Sequence, residues 1–277
     1  MTVVVVTDSS AGLSAELAAG NGIRVVPLHI LLDNTDLSDG VDPIPEDIYD
    51  RHASTAGASP ADLAAAYRAA LADSAGDGVL AVHLSGLLSG TCAAADLAAA
   101  DLGAGVRVFD SRSTAMGTGF AVLAAARSAA AGADLDTVAA AAEAVAARTH
   151  GFIVVQRLDN LRRSGRIGGA AAWLGTALAL KPLLKVEDGK LVLAQRVRTA
   201  SRAIATMVDR VCELAGDRPA DLAVHHVANP DGAAELAATL AERLPGCPPA
   251  LIADLGPVLG LHVGAGALGV VVSTAAR

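Results

Sequence analysis

Short apolar runs alternate with helix-like stretches through the first half of the chain, and this alternation restricts its fold more than any other feature. The order is "TVVVVTDSS", "LSAELAAGNG", "IRVVPLHILLD", "ADLAAAYRAALAD", "GVLAVHLSG" and "VRVFDSRS". Strand-sized runs separated by helices cannot pair as hairpins. They need crossover connections and therefore predict a parallel sheet. Pro27 in "VVPLHI" lacks the N–H that a central ladder position requires, which places that strand at an edge. "NTDLSDGVDPIPEDIYDRHASTAGASP" reads as a long polar excursion ending at a helix. Ser59 is the expected N-cap of that helix, Pro60 its first residue, and Asp62 lies near its positive dipole end.

Two alanine-rich helices follow, roughly residues 114–131 and 136–148, and the rhythm changes around Gly151. "GFIVVQRL" is a strand, "LRRSGRIGG" a basic glycine loop and "AAAWLGTALAL" an apolar helix. "PLLKVEDGKLVLAQRV" is a hairpin with Asp188–Gly189 as its tight turn. A helix near 199–215, the strand "DLAVHHVA", another helix, "ALIADL" and "ALGVVVSTA" complete the second half. A hairpin amid helices predicts a mixed sheet there. The expected fold is thus α/β in two lobes: a parallel-sheet domain over 1–150 and an α/β domain with a mixed sheet over 151–277.

Composition removes several function classes. A net charge of −8 and a 2% aromatic content disfavour nucleic-acid binding, which uses cations for phosphates and rings for bases. Apolar residues make up 53% of the chain, yet charges, Gly and Pro interrupt every run long enough to span a membrane. "MTVVVVTDSS" has no basic segment ahead of its apolar run and does not read as a signal peptide. Cys92, Cys212 and Cys247 are isolated, which fits a reduced cytoplasmic setting without disulfides or a zinc site.

Three strands of the first half end in hydroxyl-bearing loops: Thr7–Ser10, Leu84–Thr91 and Asp110–Ser113. Parallel sheets bind ligands at the carboxyl ends of their strands, so these loops are expected to line one polar pocket. The alternative is that the hydroxyls only cap the helices that follow. No GxxxxGK[ST], no GxGxxG after the first strand and no GxSxG elbow occurs, so neither common nucleotide motif nor a hydrolase elbow is present. His83 and Ser85 share a strand face without an evident triad, while His225 and His226 point to opposite faces and make no metal pair. The second half supplies cations: Arg162, Arg163 and Arg166 among glycines, then Arg196, Arg198 and Arg202. Each is either a solvated charge or a bidentate anion ligand. His262 stands beside a glycine run in "GLHVGAGALG".

Taken together, "TDSSAGL", "VVPLHI", "STAGASP", "LSGLLSGT", "VFDSRSTAMGTG", "LDNLRRSGRIGG", "LALKPLLKVEDGKL", "RVRT" and "HVGAGALGVV" resemble the DegV family in order and over nearly the full length. Two departures stand out. Thr55-Ala56-Gly57-Ala58-Ser59 replaces the family's Thr-Ser-Gln-Pro-Ser, and Ser85-Gly86 replaces paired serines. The resemblance implies a long-chain fatty acid, such as palmitate, in a tunnel between two lobes. It places the carboxylate on Thr55, on Ser85 or Ser89 or both, and on backbone amides near Gly86. By the same correspondence Arg166, Arg198 and His262 lie near the head group or at a partner surface. A separate ATP-dependent fatty acid kinase would then make the acyl phosphate, so this chain would be a binding subunit without catalytic residues, metal or cofactor. Such a role also admits transient membrane contact.

The residues themselves agree with an aliphatic ligand: the chain is rich in apolar side chains and poor in rings. Burying about 14 methylenes at roughly 0.8 kcal/mol each yields on the order of 11 kcal/mol before ordering costs. The polar loop need then only satisfy one carboxylate. Two other readings stay open from sequence: a transferase or hydrolase with Ser85 or Ser89 as nucleophile and His83 or His262 as base, and a ligand sensor using the same pocket.

Overall fold

The apolar run at the start of the chain becomes β1 (Val4–Asp8), on which the first sheet is assembled. The computed structural model describes residues 2–167 and 181–275. After β1 come α1 (Ala15–Gly20), β2 (Arg24–Val26), β3 (His29–Leu32), β4 (Thr35–Ser38), β5 (Ala53–Ala56) and α2 (Pro60–Ser74). Then follow β6 (Val79–His83), α3 (Thr91–Ala100), β7 (Val106–Asp110), α4 (Met116–Ala130) and α5 (Leu135–Ala146). The described residues form two compact units, the first of residues 2–45 and 52–147, the second of 46–51, 148–167 and 181–275. A short piece of the first half, Glu46–Arg51, thus groups with the second unit.

The first unit contains a four-stranded, wholly parallel sheet in the order β2-β1-β6-β7. Every residue of β6 is buried, as expected of a strand with helices on both faces. Nearly all of α4 is buried too, which explains its small residues: a Cβ at Gly119 would lie 2.5 Å from the Ala11 carbonyl oxygen. Only glycine lets this helix approach the loop after β1 so closely.

Pro27 acts as a break rather than as part of one edge strand. β2 does end the sheet, but it stops at Val26, and the chain restarts at His29 in a second sheet of order β4-β3-β5. The segment read as a polar excursion therefore holds two strands. The turn from β3 into β4, Asp33–Asn34, has both residues at positive φ (48° and 63°), the geometry of a two-residue hairpin without the usual glycine. β4 reads Thr-Asp-Leu-Ser, too polar to show the alternation that marks a strand.

The second unit comprises β8 (Thr149–Val154), α6 (Asp159–Arg163), β9 (Lys181–Glu187), β10 (Lys190–Val197), α7 (Ala200–Ala215), β11 (Ala220–His226), α8 (Pro230–Arg243), β12 (Leu251–Asp254), α9 (Gly256–Val263) and β13 (Leu268–Thr274). Its mixed sheet runs β10-β9-β8-β13-β11-β12, with β11 and β12 parallel and the other neighbours antiparallel. The β9–β10 hairpin turns at Asp188–Gly189, both at positive φ. On α7, Ala203, Met207, Val211 and Ala215 recur at helical spacing and face a core that includes Leu183, Val224, Leu240 and Val270. Part of the expected basic loop is helical, since α6 takes up Asp159–Arg163. The remaining glycines, Gly168 and Gly169, and the apolar helix expected over 170–180 lie outside the described residues.

Candidate functional site at the carboxyl ends of the parallel strands

β1, β6 and β7 end side by side, and the loops that leave them are cross-braced by hydrogen bonds. Ser85 N–H donates to the Ser113 carbonyl (2.8 Å), Ser111 N–H to the His83 carbonyl (3.0 Å), and Ala115 N–H to the Ser10 carbonyl (2.8 Å). The three loops thus form one polar cluster inside the first unit. Their hydroxyls are not caps of α3 or α4: the N-cap residues there are Gly90 and Ala115, and neither helix has a side-chain cap. Two buried hydroxyl oxygens, Thr7 Oγ1 and Thr114 Oγ1, have no partner among the described residues.

Beneath the cluster lies a fully buried chain of polar groups. The Asp8 carboxylate accepts from His83 Nδ1 (2.9 Å) and from Leu84 N–H (3.1 Å) on one oxygen. Its other oxygen accepts from Ser10 N–H (3.1 Å) and Ser10 Oγ–H (2.5 Å). His83 Nε2 lies 2.7 Å from Tyr67 Oη on α2. The Asp8 carboxylate can only accept, so His83 carries a proton on Nδ1; in the neutral ring Nε2 then accepts from the Tyr67 O–H. Burial alone would raise the Asp8 carboxyl, but the hydrogen bonds from His83, Ser10 and Leu84 hold it below its ordinary value. Burial, then the Asp8 charge, pushes the Tyr67 phenol up.

This arrangement removes His83 as a general base for Ser85 or Ser89. Both ring nitrogens are committed, one to Asp8 and one to Tyr67, so neither can take a serine proton. Cys92 at the start of α3 is no better as a nucleophile, since burial and the nearby Asp110, Asp96 and Asp8 push its thiol up to about 12.

The loop from Ser85 to Thr91 satisfies most of its own amides. Leu87 N–H donates to Ser85 Oγ (3.2 Å), while Leu88 and Ser89 N–H donate to the Ser85 carbonyl (2.9 and 3.1 Å). Gly86 N–H donates to Asp110 Oδ2 (3.1 Å), so the amide expected to hold an anion is engaged by a carboxylate of the protein. Ser89 Oγ and Thr91 Oγ1 are 2.9 Å apart, and Thr91 N–H also donates to Ser89 Oγ (3.3 Å). One hydroxyl of that pair donates to the other, which leaves one O–H to point elsewhere. Ser85 is fully buried, and Ser89 is half-buried.

Thr55 sits on β5, paired with Ile30, and the chain runs from it directly onto the same loop. A Cβ at Gly57 would lie 2.6 Å from Thr91 Oγ1 and 3.3 Å from Ser89 Oγ. Glycine at this position is therefore what allows the Thr55–Ser59 segment to close on the Ser89–Thr91 hydroxyls. Ser59 is spent on its helix: Oγ accepts from Asp62 N–H and donates to Asp62 Oδ2. The structure thus brings Thr55, Ser85, Gly86 and Ser89 into one region of the first unit.

In the second unit Arg166 and His262 are neighbours. Burial first, and the Arg166 charge second, push His262 down to about 4, so its ring is neutral near pH 7. Arg166 donates through Nη1 to the Ser164 carbonyl. Arg198 is exposed just before Thr199, the N-cap of α7, and makes no hydrogen bond or ion pair among the described residues. Sequence reasoning missed Tyr67, and it counted Asp110 and Thr91 only as members of hydroxyl-bearing loops. The one available signal was Asp8 itself, an acid directly after a buried strand. No group of three His, Cys, Asp or Glu suited to a metal occurs among the described residues, and no helix there is long and apolar enough to cross a membrane.

Comparison with known proteins accounts for the whole chain. A family model described as "Uncharacterised protein, DegV family" matches residues 2–275. A DegV domain-containing protein of Mycobacterium tuberculosis is 68% identical over 276 residues, covering 100% of this chain and 99% of the relative. Among solved structures, a fatty-acid-binding DegV family protein from Thermus thermophilus superposes with a TM-score of 0.92 at 34% identity, covering 99% of this chain and 100% of that one. DegV from Bacillus subtilis, a fatty acid binding protein, superposes with a TM-score of 0.89 at 26% identity, with 99% of each chain covered.

Proposed function

The chain belongs to the DegV family, and from that premise we propose that it binds a long-chain fatty acid whose carboxylate is held by hydroxyls of the first unit. The observation that carries this reading is the near-complete superposition, at a TM-score of 0.92, on a DegV family protein that binds fatty acid. The side chains at the strand ends support it. Ser85, the Ser89–Thr91 pair and Thr55 supply hydroxyl donors without a cation in the loop, which suits one carboxylate better than a phosphate. With Gly86 N–H engaged by Asp110, the hydroxyls carry the larger share of the contact. The same reading gives Arg166, Arg198 and His262 a role toward the head group or toward a partner protein.

The chain acts as a binding subunit that offers its acid to a separate ATP-dependent kinase. It has no nucleotide motif in its sequence, and the committed nitrogens of His83 disfavour a serine nucleophile beside it. Titration of delipidated protein with palmitate and with oleate tests the binding step. Saturable binding of at least one acid is expected, and absence of saturable binding of both would sink the reading.

A further inference from the structure

The Asp8–His83–Tyr67 chain has no part in the ligand contacts proposed above, yet all three residues are fully buried. Burying a carboxylate is costly unless donors surround it, and Asp8 has four: the Nδ1–H of His83, the amide of Leu84, and the amide and hydroxyl of Ser10. A protein that needed only a filled core at this position would do better with apolar side chains of similar size. What the arrangement adds is geometric. Asp8 lies at the end of β1, His83 at the end of β6 and Tyr67 on α2, so one set of hydrogen bonds locks three elements at the root of the Ser85 loop.

We propose that Asp8 is the positioning residue of the head-group site: by accepting from Leu84 N–H it fixes the backbone that carries Ser85, and His83 with Tyr67 fixes Asp8. The inference rests on the fatty-acid reading, because it concerns how that same site is held. The order of donors gives it direction. With a neutral His83 ring, Tyr67 O–H donates to Nε2 and Nδ1–H donates to the acceptor-only Asp8 carboxylate. Loss of the Tyr67 hydroxyl leaves buried Nε2 without a donor and frees the ring to turn, which weakens its hold on Asp8. An amide in place of the Asp8 carboxylate would set its NH2 against either the Leu84 or the Ser10 backbone N–H, so one of the two loses its acceptor in either orientation. Either change loosens Asp8 and the loop backbone it holds without touching Ser85, Ser89 or Thr55.

The test uses the full delipidated chain with palmitate labelled with ¹³C at the carboxyl or at the terminal methyl. Tyr67→Phe and Asp8→Asn keep side-chain volume, and the first can be read even if the second does not fold. Both are expected to bind palmitate about tenfold more weakly, the scale of one hydrogen bond to a charged group. Their carboxyl resonance is expected to move from its wild-type position while the methyl resonance stays. Variants that melt earlier but keep the wild-type carboxyl resonance and affinity would overturn the proposal, because the network would then serve stability alone. Wild-type protein that binds no palmitate would instead overturn the fatty-acid reading.

Discussion

The first unit keeps polar and charged side chains in its interior, whereas the second is almost wholly apolar inside. Of the buried polar side chains among the described residues, Thr7, Asp8, Ser10, Ser74, His83, Ser85, Thr91, Ser111, Ser113 and Thr118 belong to the first unit, and only His225 and Ser273 to the second. Most of those in the first unit gather where β1, β6 and β7 end. The second unit packs Leu183, Met207, Leu240 and Val270 in a core of ordinary kind. Overall charge divides the same way. The first unit has 5 basic against 15 acidic side chains, net −10, and the second 16 against 14, net +2. An anionic head group at the first unit therefore gains nothing from long-range attraction and must be held by directed hydroxyl donors, as the Ser85 loop would do. The difference is one of interior polarity: the first unit gathers buried polar groups at its parallel strand ends, and the second packs an apolar core.

The sharpest way to break this contrast is to remove the centre of the buried chain. His83→Ala leaves the Asp8 anion without its Nδ1–H donor and Tyr67 without an acceptor, and should cost about 3–5 kcal/mol. Amide hydrogen exchange should locate that loss in the first unit. Loss spread evenly over both units would mean the chain is not a local keystone.

Acid should strike the other unit. Burial pushes His225 down to about 4, and His262 is lowered likewise by burial and Arg166. The unfolded chain takes up these protons near 6.5, the folded unit only near 4. Stability is thus full above pH 6.5 and falls as pH drops toward 4. His225 alone accounts for on the order of 3 kcal/mol of that loss. Asp8, with its carboxyl lowered, costs the first unit stability only at more acid pH. Exchange at pH 5 should therefore open β11 and its neighbours before β1 and β6, and the reverse order would contradict the assignment.

The smallest expected effect concerns ligand. Thr55→Ala or Ser85→Ala should each weaken fatty-acid binding by about 1–2 kcal/mol while leaving the fold intact. Unchanged affinity in both variants, measured by calorimetric titration, would place the carboxylate elsewhere.

How much of this was legible in the sequence depended on range. The Asp188–Gly189 hairpin, the capped helix from Pro60 and the parallel strands were visible because each depends on neighbours along the chain. The β3–β4–β5 sheet was not, because Asp33–Asn34 turns without glycine and β4 is polar. The hydroxyl loops could be located but not wired. Asp8 meets His83 across 75 positions, and no spacing rule announces that pairing. The resemblance placed amides near Gly86 at the carboxylate, and the partner of the Gly86 amide, Asp110, arrives from another strand, where spacing could not announce it. Gly57 looked like a lost family side chain, but it is the position that lets the segment after Thr55 close on the Ser89–Thr91 pair.

The central claim is that the polar strand ends of the first unit exist to grip a fatty acid, and extraction tests it most directly. Protein purified without added lipid is treated with organic solvent and the extract analysed by mass spectrometry. The account predicts a long-chain fatty acid in stoichiometric amount from the wild type and markedly less from Ser85→Ala. An extract empty of fatty acid, from protein that also fails to take up palmitate, would contradict it.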